Sequence, residues 1–166
     1  MARFTFAAFT VDAPDSWRDI TTPNELVGGK PLPSLAKEHG VGEIAFTVIP
    51  YRQDPNRASS PDDLLERVRD YGRDLGAGEP FDLALEAEPL WLAAGSYRWE
   101  GAFVRVWHVS DRCGLAFITY DCPYGRESRE LPACEHIVRT LRFRYGIFRR
   151  FLGFVWEPLI GRSSVG

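Results

Sequence analysis

The residues of this chain that could do chemistry concentrate between positions 106 and 122. This stretch, VWHVSDRCGLAFITYDC, holds His108, one of three histidines, and Cys113 and Cys122, two of three cysteines. Imidazole and thiolate groups are metal ligands, and together they can also form a nucleophile with its base. Both uses require that the side chains converge in the folded chain.

The flanking residues predict a β-hairpin over this stretch, because two β-branched and aromatic runs surround a short polar break. With the turn at Ser110–Gly114, His108 would lie opposite Ala116. His108 would then share a face of the sheet with Ile118 and Tyr120. A predominantly apolar face of this kind is typical of a structural histidine.

Strand geometry separates the cysteines of this hairpin. A strand rises about 3.3 Å per residue, so Cys113 and Cys122 would lie roughly 30 Å apart. Cys134 and His136 are two positions apart on a predicted helix and point in different directions. A metal site needs three or four converging ligands. We therefore expect neither a metal ion nor another cofactor.

Sequence motifs for catalysis are also missing. His39 lies in a predicted loop, His108 on a strand and His136 on a helix, and no nucleophile elbow or catalytic-cysteine context accompanies them. The glycine runs VGGKP and GVG lack the full pattern of a phosphate-binding loop. We predict a protein that is not an enzyme, with a small enzyme using His108 or a cysteine as the alternative.

Composition predicts one globular domain that does not bind nucleic acid. The chain has 166 residues, 45% of them hydrophobic, and a formal charge of −3. A nucleic-acid binder needs a clustered basic surface. The start, MARFTFAAFTVDAP, resembles a strand more than a signal peptide, and three cysteines without framework spacing suggest reduced thiols. No apolar run is long enough to span a membrane. We expect a cytoplasmic protein.

Two segments predict helices. The first begins at Ser60, a favourable N-cap before Pro61, and ends at Gly76. The second lies in SRELPACEHIVRTLRF and places Cys134 and Leu141 on one apolar face. The residues between carry the alternation of strands, whereas 22–40 is rich in glycine and proline and predicts a long loop. Strands are predicted at 4–11, 17–21, 42–51, 81–92, 95–101, 102–111 and 114–122.

This order of elements predicts an α+β fold, in which an antiparallel β-sheet is sandwiched by helices. Aromatic residues of the sheet could line a groove for an apolar helix or peptide, although core packing explains them more simply. They are Trp91, Tyr97, Trp99, Phe103 and Trp107. Glu86 and Glu88 would share the solvent-facing side of a strand, with Leu83 and Leu85 on its other side.

Both ends of the predicted domain resemble a known superfamily. FTFAAFTVDAPDSWRDIT is similar to the opening of PsbP-like proteins, an aromatic strand followed by proline, tryptophan and threonine. FITYDC and EHIVRTLRF resemble the final strand and helix of that group, which includes the Mog, DcrB and type VI secretion Eag proteins. The resemblance runs from about Phe4 to Phe143.

The resemblance implies a PsbP-like α/β/α arrangement without enzyme chemistry. Members of the superfamily serve as adaptors, chaperones or assembly factors. This chain departs from the DcrB branch because it lacks a lipobox cysteine. We accordingly assign residues 1–143 to a PsbP-like α+β domain and residues 144–166 to a basic, hydrophobic C-terminal tail that lies outside the shared pattern.

The C-terminal tail is the least ordinary segment. From Arg142 onward the chain has five arginines and one acid. Apolar side chains recur there with helical spacing, next to two arginines, as in a basic amphipathic helix that contacts a membrane surface or another chain. The candidate partner-binding residues are Phe148, Arg149, Arg150, Phe151, Leu152, Val155 and Trp156. Packing on its own domain and homodimer formation are the simpler alternatives.

Together these features predict a non-enzymatic, protein-binding adaptor or chaperone of bacterial origin. Its most concrete role would be to shield apolar segments of a secreted effector, as in type VI secretion. An immunity-type inhibitor and a peripheral membrane protein held by its tail are the alternatives. The expected partner is a protein, a homodimer is possible, and no nucleic acid is expected.

Overall fold

The computed structural model describes residues 1–23, 26–27, 30–50 and 60–145. Within these ranges the chain forms two α-helices, α1 (Pro61–Leu75) and α2 (Leu131–Arg139). The strands are β1 (Ala2–Thr5), β2 (Phe9–Ala13), β3 (Trp17–Asp19), β4 (Leu26–Val27), β5 (Lys30–Pro31), β6 (Ser34–Lys37), β7 (Glu43–Pro50), β8 (Phe81–Glu86), β9 (Trp91–Trp99), β10 (Ala102–Ser110), β11 (Gly114–Pro123) and β12 (Arg142–Phe143).

The principal element is a seven-stranded antiparallel sheet with the order β3-β6-β7-β11-β10-β9-β8. Four consecutive strands, β8 to β11, form the predicted meander at one side. The predicted 81–92 strand is divided, because β8 ends at Glu86 and β9 begins at Trp91. Pro89 lies in this break, where its missing N–H costs no ladder hydrogen bond.

The hairpin of β10 and β11 exists, but the predicted register is wrong by one residue. Ser110 pairs with Leu115, so His108 lies opposite Phe117 and not Ala116. The turn is one residue shorter than predicted, with residues 111–114 between the paired strands. The Asp111 carboxylate closes this turn by accepting hydrogen bonds from the backbone N–H of Cys113 and of Gly114, each at 3.0 Å. A one-residue change of register moves every partner to the other face.

Helix α1 follows its sequence signals. The Ser60 hydroxyl accepts a hydrogen bond from the Asp63 N–H at 3.2 Å, and the Asp63 carboxylate accepts one from the Ser60 N–H at 2.9 Å. This reciprocal capping box satisfies two N–H groups at the start of the helix. Gly76 ends the helix in the left-handed conformation, with φ 70°. Leu64 and Val68 bury the apolar face against the large sheet.

The other face of the large sheet is covered by α2 together with a three-stranded sheet of order β1-β2-β12. The predicted strand at 4–11 is therefore a hairpin, with a turn closed by the hydrogen bond from the Phe6 N–H to the Phe9 carbonyl at 2.9 Å. The segment at 17–21 turns after Pro14 as expected. It leaves the small sheet, however, and β3 pairs with β6 in the large one.

The region predicted as a long loop, 22–40, contributes strand β6 to the large sheet. Its alanine and leucine residues pair with β7, which the loop assignment did not anticipate. Mixed α/β content, a large antiparallel sheet and two helices otherwise agree with the predicted fold class. The candidate residues of the tail, from Phe148 to Trp156, lie outside the described residues.

Candidate functional site

His108 is buried on the α1 side of the large sheet, with 7% of its surface exposed. Its ring packs on the Phe117 ring at 5.0 Å between centroids. Because of the register, Ile118 and Tyr120 lie on the opposite face, which corrects the predicted neighbourhood of His108. Neither ring nitrogen has a hydrogen-bond partner among the described residues. Within the described ranges, no nucleophile therefore lies within hydrogen-bonding distance of this imidazole.

Burial keeps this imidazole neutral. Desolvation and, second, the positive charge of Arg67 on α1 lower the pKa of His108 from 6.5 to about 4. The backbone carbonyl of Arg67 opposes this change without reaching hydrogen-bond geometry. A buried histidine that is neutral above about pH 4 and makes no hydrogen bond to the described residues has the surroundings of a packing residue, in an environment that is sensitive to acid.

The three thiols occupy different environments. Cys113 is exposed in the β10–β11 turn, whereas Cys122 and Cys134 are buried in the core between the two sheets. Burial raises the pKa of both buried thiols, so they remain protonated and weakly nucleophilic. In the part of the chain that the structure describes, no three histidine, cysteine or acidic side chains converge as a metal site would require.

The GVG motif at 40–42 forms an internal carboxylate site. Glu130, which is 2% exposed at the start of α2, accepts hydrogen bonds from the Val41 N–H at 2.8 Å and the Gly42 N–H at 3.0 Å. The Tyr120 hydroxyl donates a third at 3.1 Å. A Cβ on Gly40 would lie 2.5 Å from the Glu130 carboxylate. The motif therefore allows a close approach between loop and helix.

A cleft with a volume of about 620 Å³ lies beside this loop. Asp121 and Glu43 are direct cross-strand partners at its wall. Partial desolvation and, second, the facing Glu43 carboxylate raise the pKa of Asp121. The cleft is open and its walls combine Lys37 with these acids, so we assign it no ligand.

The five aromatic residues that could line a groove are divided between two faces. Trp91, Tyr97 and Trp99 alternate on the α1 side of β9, where Tyr97 is fully buried. Phe103 and Trp107 lie on the opposite side of the sheet and are buried against α2 and the small sheet. The core interpretation is therefore correct for Tyr97, Phe103 and Trp107, whereas Trp91 and Trp99 are partly buried, and the five residues do not form one groove.

One buried cation organises the side of the sheet near β8. Arg105 is 6% exposed and donates from Nε to the Glu135 carboxylate on α2 at 2.6 Å. Its terminal nitrogen also donates to the Ser96 hydroxyl and to the Asp82 carbonyl, each at 2.9 Å. Asp82 has a φ of 51° and lies in a β-bulge between Phe81 and Ala84. Arg105 thus fixes the geometry of β8.

Strand β8 is the terminal strand of the large sheet in the described chain, and it exposes apolar side chains. Phe81 is 40% exposed, Leu83 45% and Leu85 43%. The bulge places Phe81 against Phe103 on the α2 side, whereas Leu83 packs over Gly95 on the α1 side. An unpaired strand carrying apolar side chains is a template for pairing with another segment. We call Phe81, Leu83, Leu85 and the backbone of β8 the edge surface.

Acidic side chains frame the edge surface. Glu79, Asp82 and Glu88 are exposed, and no ion pair joins them to another side chain within the described ranges. Glu86 differs, because Arg139 of α2 donates to it at 2.6 Å. Leu83 and Leu85 lie on the side of the strand opposite Glu86, as expected, but this side is only partly covered, so both side chains are partly exposed. The sequence does contain a signal for these acidic surroundings, because positions 74–97 contain five acidic residues and no basic residue.

None of the described helices is long and apolar enough to cross a bilayer. Residues 144 and 145, the first of the predicted tail, contact the domain. The Arg144 N–H donates to the Ala8 carbonyl at 2.8 Å, and the Tyr145 ring stacks on Phe143. The Tyr145 hydroxyl donates to Asp111 in the β10–β11 turn.

No family model matches the sequence, and no characterised protein sequence matches it. Several solved structures, however, have a similar fold. The fold is similar to that of cyanobacterial PsbP (CyanoP) from Synechocystis sp. PCC 6803, with a TM-score of 0.60 and 9% identity, over 86% of this chain and 92% of that one. This similarity, at such low identity, shows the fold alone.

Two further solved structures have a similar fold. LpqN, involved in cell envelope biogenesis of Mycobacterium tuberculosis, has a TM-score of 0.53 and 16% identity, over 81% of this chain and 82% of that one. A protein from Bacteroides thetaiotaomicron VPI-5482 has a TM-score of 0.52 and 13% identity, over 82% of this chain and 45% of that one. The chain therefore has a PsbP-like fold.

Proposed function

We propose that this chain is a non-enzymatic binding domain that serves a protein partner in the cytoplasm as an adaptor or chaperone. The edge surface is the observation that supports this function most directly. Main-chain groups of an unpaired strand can bind an extended segment of another protein, while the exposed side chains contact alternate residues of that segment. Phe81, Leu83 and Leu85 offer such contacts.

The acids around the edge surface favour a partner segment that combines apolar and basic residues. Glu79, Asp82 and Glu88 are exposed charges, which steer an oppositely charged segment and set its register more than they add affinity. The most concrete version of this function is a chaperone that shields apolar segments of a secreted bacterial effector, as the resemblance to Eag chaperones of type VI secretion suggests.

The C-terminal tail supplies a second contact to the partner in this proposal. Its apolar residues would cover the partner's apolar surface, and its two adjacent arginines would orient the complex. The proposed contact residues are Phe148, Arg149, Arg150, Phe151, Leu152, Val155 and Trp156.

Co-expression with a secreted protein encoded beside this gene tests the proposed function. The tagged chain should co-elute with that protein. Leu85→Glu should abolish co-elution, because it places a charge among the apolar side chains of the edge surface. Ile49→Glu is the matched control, because Ile49 is an aliphatic strand residue that is 44% exposed on β7. Equal loss with both variants, or no loss with Leu85→Glu, would contradict a role for the edge surface.

A further inference from the structure

The edge surface can accept a regular added strand along only part of its length. The Asp82 carbonyl accepts a hydrogen bond from the buried guanidinium of Arg105 at 2.9 Å, and the register between β8 and β9 shifts just before Ala84. A bulge of this kind disrupts the regular order of backbone groups along a strand. Pairing with β9 is regular again from Ala84 to Glu86. Residues 84–86 are therefore the part of the edge that can form a ladder with a further strand.

A chain of ion pairs fixes both ends of β8 on α2. Arg105 binds the Asp82 carbonyl near the start of the strand and also donates to the Glu135 carboxylate at 2.6 Å. Glu135 accepts from Arg139 at 2.6 Å as well, and Arg139 donates to Glu86 at the end of the strand at 2.6 Å. A strand that is already fixed loses little conformational freedom on binding, so the contacts contribute more fully to affinity. The edge surface is thus preorganised for a partner.

The two faces of this strand differ in chemistry. Leu83 and Leu85 form a partly exposed apolar surface on the α1 side of the sheet. On the α2 side, Glu86 is paired with Arg139. Successive side chains of a strand point to opposite faces and contact their neighbours on the adjacent strand. An added strand would therefore place apolar residues beside the leucines and polar residues beside Glu86.

Carboxylates lie beyond both ends of β8. Glu79 lies two positions before the strand and Glu88 two positions after it, both are exposed, and no ion pair joins either to another side chain within the described ranges. Such charges favour a segment with a basic residue at each end. The six residues of β8 extend over roughly 20 Å, so basic residues about six positions apart would reach both acids. Pairing of β8 with a second copy would bring like charges together, which disfavours it.

We propose that the edge surface selects an extended segment of about seven residues, with a basic residue at each end and alternating polar and apolar residues between them. The segment pairs with residues 84–86, its apolar side chains lie beside Leu83 and Leu85, and its ends lie near Glu79 and Glu88. This inference rests on the proposed function, because it assigns the edge to a partner, and it adds the pattern by which that partner is recognised.

Fluorescence anisotropy with labelled synthetic peptides and the full chain tests this selection. The peptide Lys-Thr-Val-Thr-Val-Thr-Lys has the proposed pattern and should bind saturably. Replacing both lysines with glutamate should weaken binding at least about tenfold, because like charges would then face each other. N-methylation of the three central amides should cause a comparable loss, since it removes backbone donors and retains the side chains.

Variants of the chain identify the surface that binds the peptide. Leu85→Glu should weaken binding of the lysine peptide at least about tenfold. Ile49→Glu is the matched control and should bind normally, because Ile49 is similarly exposed on β7. Glu79→Lys with Glu88→Lys should reverse the preference, so that the glutamate peptide binds more tightly than the lysine peptide. Glu38→Lys changes an exposed acid beside β6, far from β8 in the sheet order, and should leave the preference unchanged.

Absence of saturable binding at up to about 1 mM lysine peptide would overturn the proposal. Equal binding of the lysine and glutamate peptides, unchanged binding after N-methylation, or an equal effect of Ile49→Glu and Leu85→Glu would do so as well. A dimer in sedimentation that excludes the peptide would assign the edge to a second copy, with the same consequence.

These outcomes are distinguishable from those of the co-expression test. Co-elution that Leu85→Glu abolishes, together with no selectivity among the peptides, would contradict this recognition pattern and retain the proposed function. Selective peptide binding without co-elution would contradict the choice of a neighbouring secreted protein as partner and retain the recognition pattern.

Discussion

Replacing His108 with leucine should remove a large part of the acid sensitivity of this domain. The native pKa of His108 is lowered to about 4 by burial and by Arg67, whereas the unfolded chain has the ordinary value of 6.5. Between these pH values the unfolded state binds a proton that the native state does not. Stability contributed by the neutral imidazole is therefore complete above about pH 6.5 and is lost as the pH falls toward 4.

The magnitude follows from the difference between the two values. Each tenfold change in proton affinity corresponds to about 1.4 kcal/mol, so the change from 6.5 to about 4 corresponds to a loss of about 3 kcal/mol for the wild-type protein. Domains of this size are stable by only about 5–15 kcal/mol, so this single residue would matter. His108→Leu carries no proton in either state and should lack this component.

Urea unfolding measured by tryptophan fluorescence at several pH values between about 7 and 4.5 is the appropriate assay. The slope of the free energy of unfolding against pH should be smaller for His108→Leu than for the wild type. Carboxylates titrate mainly at lower pH, and they contribute equally to both proteins. Comparing slopes also removes any constant change in packing.

Arg67→Gln separates the two causes. It removes the positive charge next to His108, which should raise the native pKa and reduce the slope by less than His108→Leu does. Arg69→Gln, on the same helix, is the control and should retain the wild-type slope. Parallel stability curves for wild type and His108→Leu would refute the reasoning, because the imidazole would then titrate alike in the native and unfolded states.

Three other predictions concern buried groups. Glu130→Gln should destabilise the domain by about 1–3 kcal/mol in urea unfolding, because one carboxamide oxygen cannot replace two carboxylate oxygens that accept three hydrogen bonds. Arg105→Met should cost about 1–3 kcal/mol, since it removes the hydrogen bonds that the buried guanidinium donates to Glu135, Ser96 and the Asp82 carbonyl while Glu135 keeps its ion pair with Arg139, and it should accelerate hydrogen exchange at the β8 bulge. A thiol reagent should modify only Cys113 in the native protein, and Cys122 and Cys134 only after unfolding in denaturant, as counted by mass spectrometry.

Local signals explain why α1 and the meander could be predicted from sequence. Ser60, Pro61 and Gly76 specify the ends of the helix through contacts within a few residues. The β10–β11 turn is a counterexample among the local features. The Asp111 side chain closes this turn, so the strands pair in a register that differs from the predicted one by one residue. An aspartate at the start of a turn is a recognisable sequence signal, because its side chain bonds the backbone of the turn. This signal predicts the shorter turn, in which His108 lies opposite Phe117.

Other features depend on distant parts of the chain and were beyond sequence patterns. Trp17 begins a strand after the expected turn, yet tertiary packing decides that this strand joins the large sheet. Glu130 binds a loop 88 and 89 positions away. The exposure of Leu85 depends on which strand is last in the sheet, and alternation along a single strand does not determine that order.

The small sheet has a consequence for synthesis on the ribosome. Strand β2 pairs with β12, and the Asp12 N–H bonds to the Thr140 hydroxyl across 128 positions. At roughly 5–20 residues per second, Phe9 and Val11 would wait on the order of ten seconds before their final neighbours are translated. During that interval the nascent chain displays an apolar strand without its pairing partner. The β8–β11 meander, by contrast, can form as its own hairpins emerge.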